Sequence, residues 1–324
     1  MAPSPSVKKV LVDAPHYSLK EQTKFLRILN KEKLDLMHFT HFNAPVCYFK
    51  PSVLTIHDLT LSFFPGRKHR SFLMRAAYQF VLNSSVKKAK NIIAVSENTK
   101  RDLIKQLHVK PEKISVIYEG VNDEFEKVQS KELINLTLQK YNIEQPYILY
   151  TGVWRSHKNL VGLIKAFKTL KEKYHLKAQL VITGREDPYY PEVKEHAKSS
   201  GHENDIKFTG LVSEEDLIAL YSGSKCVVLP SFYEGFGFTP LEGMKCGIPV
   251  AVSKTSCLPE ICGKDNALFF DPYDVNDMTS QIHRLFIDEK LREKLIKNGK
   301  NRVKDFSWET LAKQTLAVYN KTLA

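Results

Sequence analysis

Residues 226–247 read CVVLPSFYEGFGFTPLEGMKCG, and this stretch decides the fold. The run from Cys226 to Leu229 is apolar and β-prone throughout, the pattern of a strand covered on both faces. Pro230 and Ser231 end it. Thr239-Pro240-Leu241-Glu242 then carries the grammar of a helix start: Thr at the N-cap, Pro at the first helical position, Glu at the third. Between strand and helix lie Tyr233, Glu234, Gly235, Phe236 and Gly237. Glycine lets backbone N–H groups approach a ligand closely, and a helix N-terminus attracts anions. The stretch therefore reads as a loop for a phosphorylated ligand, with Glu234 and Glu242 on either side of it. Glu242 has two readings, closing a capping box with Thr239 or touching a ligand, and one carboxylate can do both. Glu234 lies beyond helical reach of the cap. It is either a solvated loop carboxylate or a functional group, and the surrounding glycines and aromatics favour function.

Outward from this stretch, short apolar strands alternate with longer helical segments. Strands are expected at 8–13, 34–39, 52–57, 91–95 and 114–118, and a second set at 147–151, 179–183, 206–209, 226–229, 249–252 and 267–270. Such alternation implies parallel sheets with helices on both faces, an α/β chain. The polar run 122–146 divides the two sets as linker and helix. In doubly wound sheets, ligands bind beyond the carboxyl ends of the strands. That rule selects His41, Phe42 and Asn43; His57 and Asp58; Ser96, Glu97 and Asn98; the run GVWRSHKN from Gly152; and Gly184 with Arg185. His38 and His41 are three apart on a strand, so they point to opposite faces and make no metal pair.

The segment after 147–151 repeats the phosphate theme. Leu160, Leu163, Ile164, Phe167 and Leu170 form a helical stripe. Arg155, His157 and Lys158 sit just before it, where cations oppose the helix dipole by about 0.3–1 kcal/mol each. A bound diphosphate reverses that sign. The three basic residues read either as tolerated surface charge or as an anion site, and three at one helix start favour the anion. Residues 63–90 interleave Phe63, Phe64, Phe72, Leu73, Met74, Tyr78 and Phe80 with Arg67, Lys68, Arg70, Arg75, Lys87, Lys88 and Lys90. The favoured reading is a core-facing helix with a basic outer face. The alternative is peripheral contact with anionic lipid. No nucleic-acid motif accompanies it.

The totals bound the class. The 324 residues suffice for two domains, with 43% hydrophobic and 26% charged content. No apolar run approaches the ~20 residues of a membrane span, and MAPSPSVKK lacks the apolar core of a signal peptide. Five Cys without a C-x-x-C pair argue against a disulfide framework or a zinc site. A cytoplasmic protein, in peripheral contact with membrane under the lipid reading, is expected. The net charge of +12 is uneven: residues 1–126 hold 20 Lys+Arg against 12 Asp+Glu. Either an anionic partner or a solvated basic face accounts for it.

Glu234 and Glu242 form an E-x7-E pair in the local form EGFGFTPLE, which resembles the signature of retaining glycosyltransferases of family 4, also called group 1. The resemblance runs through TIHDL, VSENTKRDLI, the GxxxxxKN segment, the turn at Gly184 and IKFTGLVSEEDL. It implies a GT-B fold, two Rossmann-like domains with parallel sheets facing across a cleft. Residues 1–126, joined by the C-terminal helix 307–324, would form the acceptor-side domain, and 127–306 the nucleotide-sugar-binding domain. The resemblance implies that Glu234 lies by the donor sugar and that His57 faces that sugar across the cleft, the two catalytic candidates. It places Lys158 on the diphosphate with Arg155 beside it, Gly152 near the sugar, Gly184 near the nucleotide and Leu211 or Val212 against the base. Gly235, Phe236 and Gly237 would turn their amides to sugar and diphosphate, and Glu242 would hold the ribose. Many relatives carry Arg where this chain has Val153. Members usually open with a strand, a Gly-rich loop and a long helix. Here VKKVLVD matches a later strand and Gly66 alone precedes Gly120, so the first domain is expected to be incomplete, exposing a sheet edge and apolar surface.

The expected function is transfer of a hexosyl group, of mannosyl or glucosyl type, from a nucleotide-diphosphate sugar to a glycan or lipid-linked acceptor with retention. No Asp-x-Asp triplet occurs, so no metal and no other cofactor is expected at the diphosphate. The alternative is a non-catalytic or partner-dependent relative that binds donor but lacks the acceptor loop. A nicotinamide-dependent oxidoreductase is disfavoured, because Pro240 stands where the third glycine of the dinucleotide fingerprint belongs.

Overall fold

The structure, a computed structural model, describes residues 7–67, 71–126 and 130–324. Lys68 and Arg70 of the aromatic–basic stretch, and residues 127–129 on the far side of the expected domain boundary, lie outside these. Two parallel sheets carry the chain. The first has four strands in the order β1 (Met37–Phe39), β2 (Ser52–Ile56), β3 (Asn91–Ala94), β4 (Ile114–Val116). The second has six: β5 (Tyr147–Thr151), β6 (Gln179–Thr183), β7 (Ile206–Gly210), β8 (Cys226–Leu229), β9 (Val250–Ser253) and β10 (Leu268–Phe270), in the order β10-β9-β8-β5-β6-β7. Every described pairing is parallel. The strands that flank β5 are buried on both faces, which is why they read as unbroken apolar runs.

Helices cover these sheets. The stripe Leu160, Leu163, Ile164, Phe167 and Leu170 is buried, as its spacing predicts. Gly243 lets the helix Phe238–Lys245 lie close on its sheet: a Cβ there would meet Val227 and Val250 at 3.1 Å. The helix Trp308–Leu323 lies on the first sheet. Val318 packs with Val53, Ile93 and Ile117, and Asn91 donates to Thr322 Oγ1 at 2.7 Å. The chain crosses between the sheets twice, near Gly120 and near Phe306. The crossings touch, since Val121 N–H donates to the Phe306 carbonyl and any side chain at Gly120 would overlap the Trp308 backbone.

Three local expectations are corrected. Residues 8–13 form no strand: Val10 and Leu11 are exposed, Lys8 pairs with Glu32, and the first sheet begins at Met37. An apolar run without a neighbour to hydrogen-bond is only extended chain. Thr239 is not the N-cap of its helix. Gly237, at φ +95°, holds that place, which puts Pro240 third and leaves Glu242 out of any capping box. The helix Phe72–Lys88 is not core-facing over its first half: Phe72 is 82% exposed, and Leu73, Met74 and Phe80 are also exposed. Only Leu82, Ser85 and Val86 are buried. The helix reaches the first sheet's core through half-buried Tyr78 and Val81 and through the buried residues of its C-terminal end.

Candidate active site

The loop after β8 brings Glu234 to the residues before the helix Leu160–Tyr174. Lys158 Nζ donates to both carboxylate oxygens of Glu234, at 2.6 and 2.9 Å. Both side chains are largely buried. Such a charge-assisted, two-pronged contact is strong and fixes both groups. Ser231 Oγ donates to Glu234 Oε1 at 2.6 Å, and Ser256 Oγ bridges the Glu234 backbone, accepting from its N–H and donating to its carbonyl. The carboxylate is thus held by Lys158 and Ser231, and its backbone by Ser256, before any ligand arrives.

Lys158 and Glu234 share a hollow of about 260 Å³ with His57, Asp58 and Glu119, so it is walled by both sheets. Gly235 closes this wall. A side chain there would overlap the His57 carbonyl and the Asp58 side chain, so only glycine permits the approach. The Gly235 carbonyl accepts from Ser96 Oγ at 2.7 Å. Gly237 opens the helix Phe238–Lys245 with Phe238 and Thr239 in its first turn, beside the hollow. Phe236 packs its ring against Tyr118, Phe238 and Phe306. What it can offer a ligand is therefore backbone.

His57 faces two acceptors. Its Nε2 lies 2.9 Å from the Thr40 carbonyl and its Nδ1 3.0 Å from Glu119 Oε1. Only an imidazolium satisfies both. Accordingly the hydrogen bond to Glu119 raises the His57 pKa, with burial opposing and the Glu119 charge adding. His157 is the opposite case. Burial, reinforced by Lys158, lowers its pKa to about 4, so the ring is neutral. A cation on the first sheet's side thus faces a cation–carboxylate pair on the second.

The remaining candidates separate. Arg155 pairs with Asp187 and lies over the Tyr190 ring, in a second hollow of about 300 Å³ that also touches His41, His57 and His157. Gly152 and Gly184 meet at the ends of β5 and β6; a side chain at Gly184 would overlap the Gly152 carbonyl. Leu211 is exposed just past β7. Glu242 sits a turn into its helix, where Tyr221 O–H donates to Oε2 at 2.6 Å, and burial raises its pKa.

Several groups that build the site escaped the sequence reading. Ser231, Ser256 and Tyr221 carry no spacing signal, because their partners are fixed only by the fold. Glu119 was within reach: it follows β4, and the carboxyl-end rule applied to that strand selects it. Glu260, in the first turn of the helix Leu258–Cys262, accepts across the cleft from the backbone N–H groups of Glu97 and Asn98.

The profile of the family described as Glycosyl transferases group 1 matches residues 136–302, and that of Glycosyltransferase Family 4 matches residues 3–125. Among known proteins, O-antigen chain mannosyltransferase B of Escherichia coli is 32% identical over 273 residues, 83% of this chain and 70% of the relative. The serotype-specific mannosyltransferase WbdA of Escherichia coli is 29% identical over 257 residues, 78% of this chain but 31% of that longer protein. Among solved structures, Anabaena HepE in complex with UDP-glucose matches with a TM-score of 0.79 at 19% identity, over 94% of this chain and 84% of that one.

Proposed function

The chain belongs to the glycosyl transferases group 1 and is a glycosyltransferase of GT-B fold, and from that premise we propose that it moves a hexosyl group from a nucleotide-diphosphate sugar to a glycan or lipid-linked acceptor with retention. The observation that carries this reading is the Lys158–Glu234 pair in a hollow walled by both sheets. A free diphosphate competes with Glu234 for Lys158. Its arrival releases the carboxylate toward the sugar and leaves Lys158 on the leaving group. The relatives support the same reading, one as an O-antigen chain mannosyltransferase and one as a serotype-specific mannosyltransferase, and HepE is a neighbour in complex with UDP-glucose.

In this reaction the bond from sugar C1 to the diphosphate oxygen breaks, and its electrons stay on the phosphate. The acceptor hydroxyl oxygen bonds to C1 on the same face, and its proton passes to the leaving phosphate oxygen. Charge grows on the diphosphate, so donors aimed there supply the main electrostatic stabilisation. Lys158 and the helix start at Gly237 take that role without a metal ion, and the His57 imidazolium lies across from them. In this reading Arg155, Gly152, Gly184, Leu211 and Glu242 line the nucleotide's path, with Glu242 on the ribose.

The same reading covers the location. Among the described residues no helix is long and apolar enough to cross a membrane. The exposed Phe72, Leu73, Met74 and Phe80, with Arg75 and Lys87 on the same helix, rest on an anionic membrane from the cytoplasmic side.

The test is hexosyl transfer by the purified protein from UDP- and GDP-hexoses to mannosides, with the anomeric product assigned by NMR. An α-linked product from an α-linked donor, formed equally with and without a chelator, is expected. Inversion, or loss of activity on chelation, overturns the corresponding part.

A further inference from the structure

Both ring nitrogens of His57 are spent on the protein. Nε2 lies 2.9 Å from the Thr40 carbonyl and Nδ1 3.0 Å from Glu119 Oε1. A carbonyl and a carboxylate are acceptors with no proton to give, so the ring donates twice and carries a charge. No N–H is then left for a sugar hydroxyl, and no nitrogen lone pair is left to take an acceptor's proton. What the ring offers the hollow it shares with Lys158 and Glu234 is a positive charge at a fixed place.

Glu119 decides that charge. The Thr40 carbonyl by itself is satisfied by a neutral ring with its proton on Nε2. The carboxylate at Nδ1 requires the second proton, and this hydrogen bond is the largest cause raising the His57 pKa, with burial opposing it. A held segment delivers the carboxylate. Glu119 stands two residues after Ile117, whose N–H donates to the Ala94 carbonyl, and two before Val121, whose N–H donates to the Phe306 carbonyl. Gly120, between them, lies against the backbone and ring of Trp308. The Glu119 side chain is itself largely buried. It is built into the crossing between the sheets, not into a free loop.

The other groups around the ring leave this role to Glu119. Asp58, the next residue in the chain, accepts from the Thr60 N–H at 2.7 Å. Glu234 is taken up by Lys158. His41, with its ring 6.4 Å away, and His38 have their pKa values lowered by burial first and by His57 second. In the second hollow Arg155 pairs with Asp187, Arg67 pairs with Glu192, and His157 is neutral. Burial raises the pKa of Tyr17 and Tyr78, so these phenols stay uncharged. Among the described residues, Glu119 is the acid within ion-pair distance of the ring.

We propose that Glu119 is a positioning residue for sugar transfer: it fixes His57 as an imidazolium whose N–H groups both face the protein, so that His57 acts on the donor's diphosphate through charge and takes no part in proton transfer. This rests on the transferase reading above and deepens it. It agrees with the route given there, in which the acceptor's proton goes to the leaving phosphate oxygen.

The experiment follows the ring and the reaction separately. In protein carrying 15N-labelled histidine, the His57 signals are identified by their loss in His57→Gln. In the parent both nitrogens are expected to stay protonated as pH passes the ordinary histidine value near 6.5. In Glu119→Gln the carboxamide can donate to a neutral ring, and the change to one protonated nitrogen is expected at lower pH. Relative to the parent, kcat of Glu119→Gln should fall by about tenfold between about pH 5.5 and 8, as the charge is lost. Glu119→Asp, which keeps the carboxylate, should be slower than the parent but retain its pH profile. A parental ring that titrates at or below about 6.5, an unshifted ring titration in Glu119→Gln, or a loss of kcat in that variant that is equal at every pH overturns the proposal. The spectroscopic arm needs no turnover. A shifted ring in a protein that moves no hexose upholds Glu119 as the holder of that charge while counting against the transferase reading, and transfer with one pH profile in parent and Glu119→Gln does the reverse.

Discussion

The Glu260 carboxylate accepts two hydrogen bonds from the other side of the cleft, from the backbone N–H of Glu97 at 2.7 Å and of Asn98 at 3.1 Å. These N–H groups belong to the first turn of the helix Glu97–Leu107, where orphan donors and the positive dipole end favour a carboxylate. Arg302 fixes the backbone beneath it by donating to the carbonyls of Glu260 and Ile261. The bond spans the two sheets and so reports whether they are together. Glu260→Ala is expected to lower kcat/KM by about tenfold, in line with one charge-assisted cap worth ~1–2 kcal/mol. It should also enlarge the radius of gyration in small-angle scattering. Scattering identical to the parent protein would remove this role from Glu260.

Lys158 and Glu234 hold each other in a partly buried pair, so loss of either strands the other. Lys158→Ala and Glu234→Ala are each expected to cost about 3 kcal/mol of stability at most. They should reduce turnover by about 10²–10³, the size of an electrostatic donor's contribution. In Glu234→Gln the lysine is released, so nucleotide-sugar affinity should hold or rise while turnover falls. Hexose transfer at parental rates in both alanine variants would refute the assignment.

Gly235 tolerates no side chain, because the His57 carbonyl and Asp58 occupy that space. Gly235→Ala is therefore expected to push the sheets apart. Turnover should drop by about 10²-fold, the effect of displacing reacting groups by roughly an ångström. The second sheet's own core is untouched, so the melting temperature should change little. A large fall in melting temperature with full turnover would contradict this.

Two histidines set opposite pH slopes. The His57 pKa is raised, so its share of stability is complete below the unfolded value near 6.5 and fades as pH climbs through the folded value. The His157 pKa is depressed to about 4, so its share is present above about 6.5 and is lost as pH falls toward 4. That loss is on the order of 3 kcal/mol, from about 1.36 kcal/mol per pKa unit. Chemical denaturation between pH 4 and 8 should show His157→Gln flattening the acid limb and His57→Gln flattening the alkaline one. Unaltered limbs in these variants would show that other groups set the slopes.

Membrane contact makes a separate prediction. Vesicles containing phosphatidylserine should sediment the protein, and neutral vesicles should not. Phe72→Asp with Leu73→Asp should reduce the bound fraction several-fold without altering the melting temperature, since both side chains are exposed. Equal binding by the double variant would exclude this helix as the contact.

The strands around Glu234 were legible because burial on both faces writes itself as an unbroken apolar run. Tyr147–Thr151, Gln179–Thr183 and Cys226–Leu229 match their expected limits. The run at 8–13 holds the same kind of β-prone centre, Val10-Leu11-Val12, and failed, since a strand depends on a neighbour that composition does not name. The helix stripe at Leu160 was legible, whereas Phe72–Lys88 misled, because helical spacing marks a face without saying what it meets. The resemblance assigned Lys158 and Glu234 to one ligand, whereas their contact with each other is visible only in the fold. The Glu119 contact of His57 and the Tyr221 contact of Glu242 join distant elements, 62 and 21 positions apart in the chain, and no local spacing encodes them.

Gly120 and Trp308 place the two inter-sheet crossings side by side. A single tether would leave the halves free to swivel. Two adjoining ones act like a pair of pins in a door frame, which removes twisting and leaves one arc of swing. Any swing of the halves about these paired crossings keeps Ser96 in register with the Gly235 carbonyl that it meets in the closed arrangement.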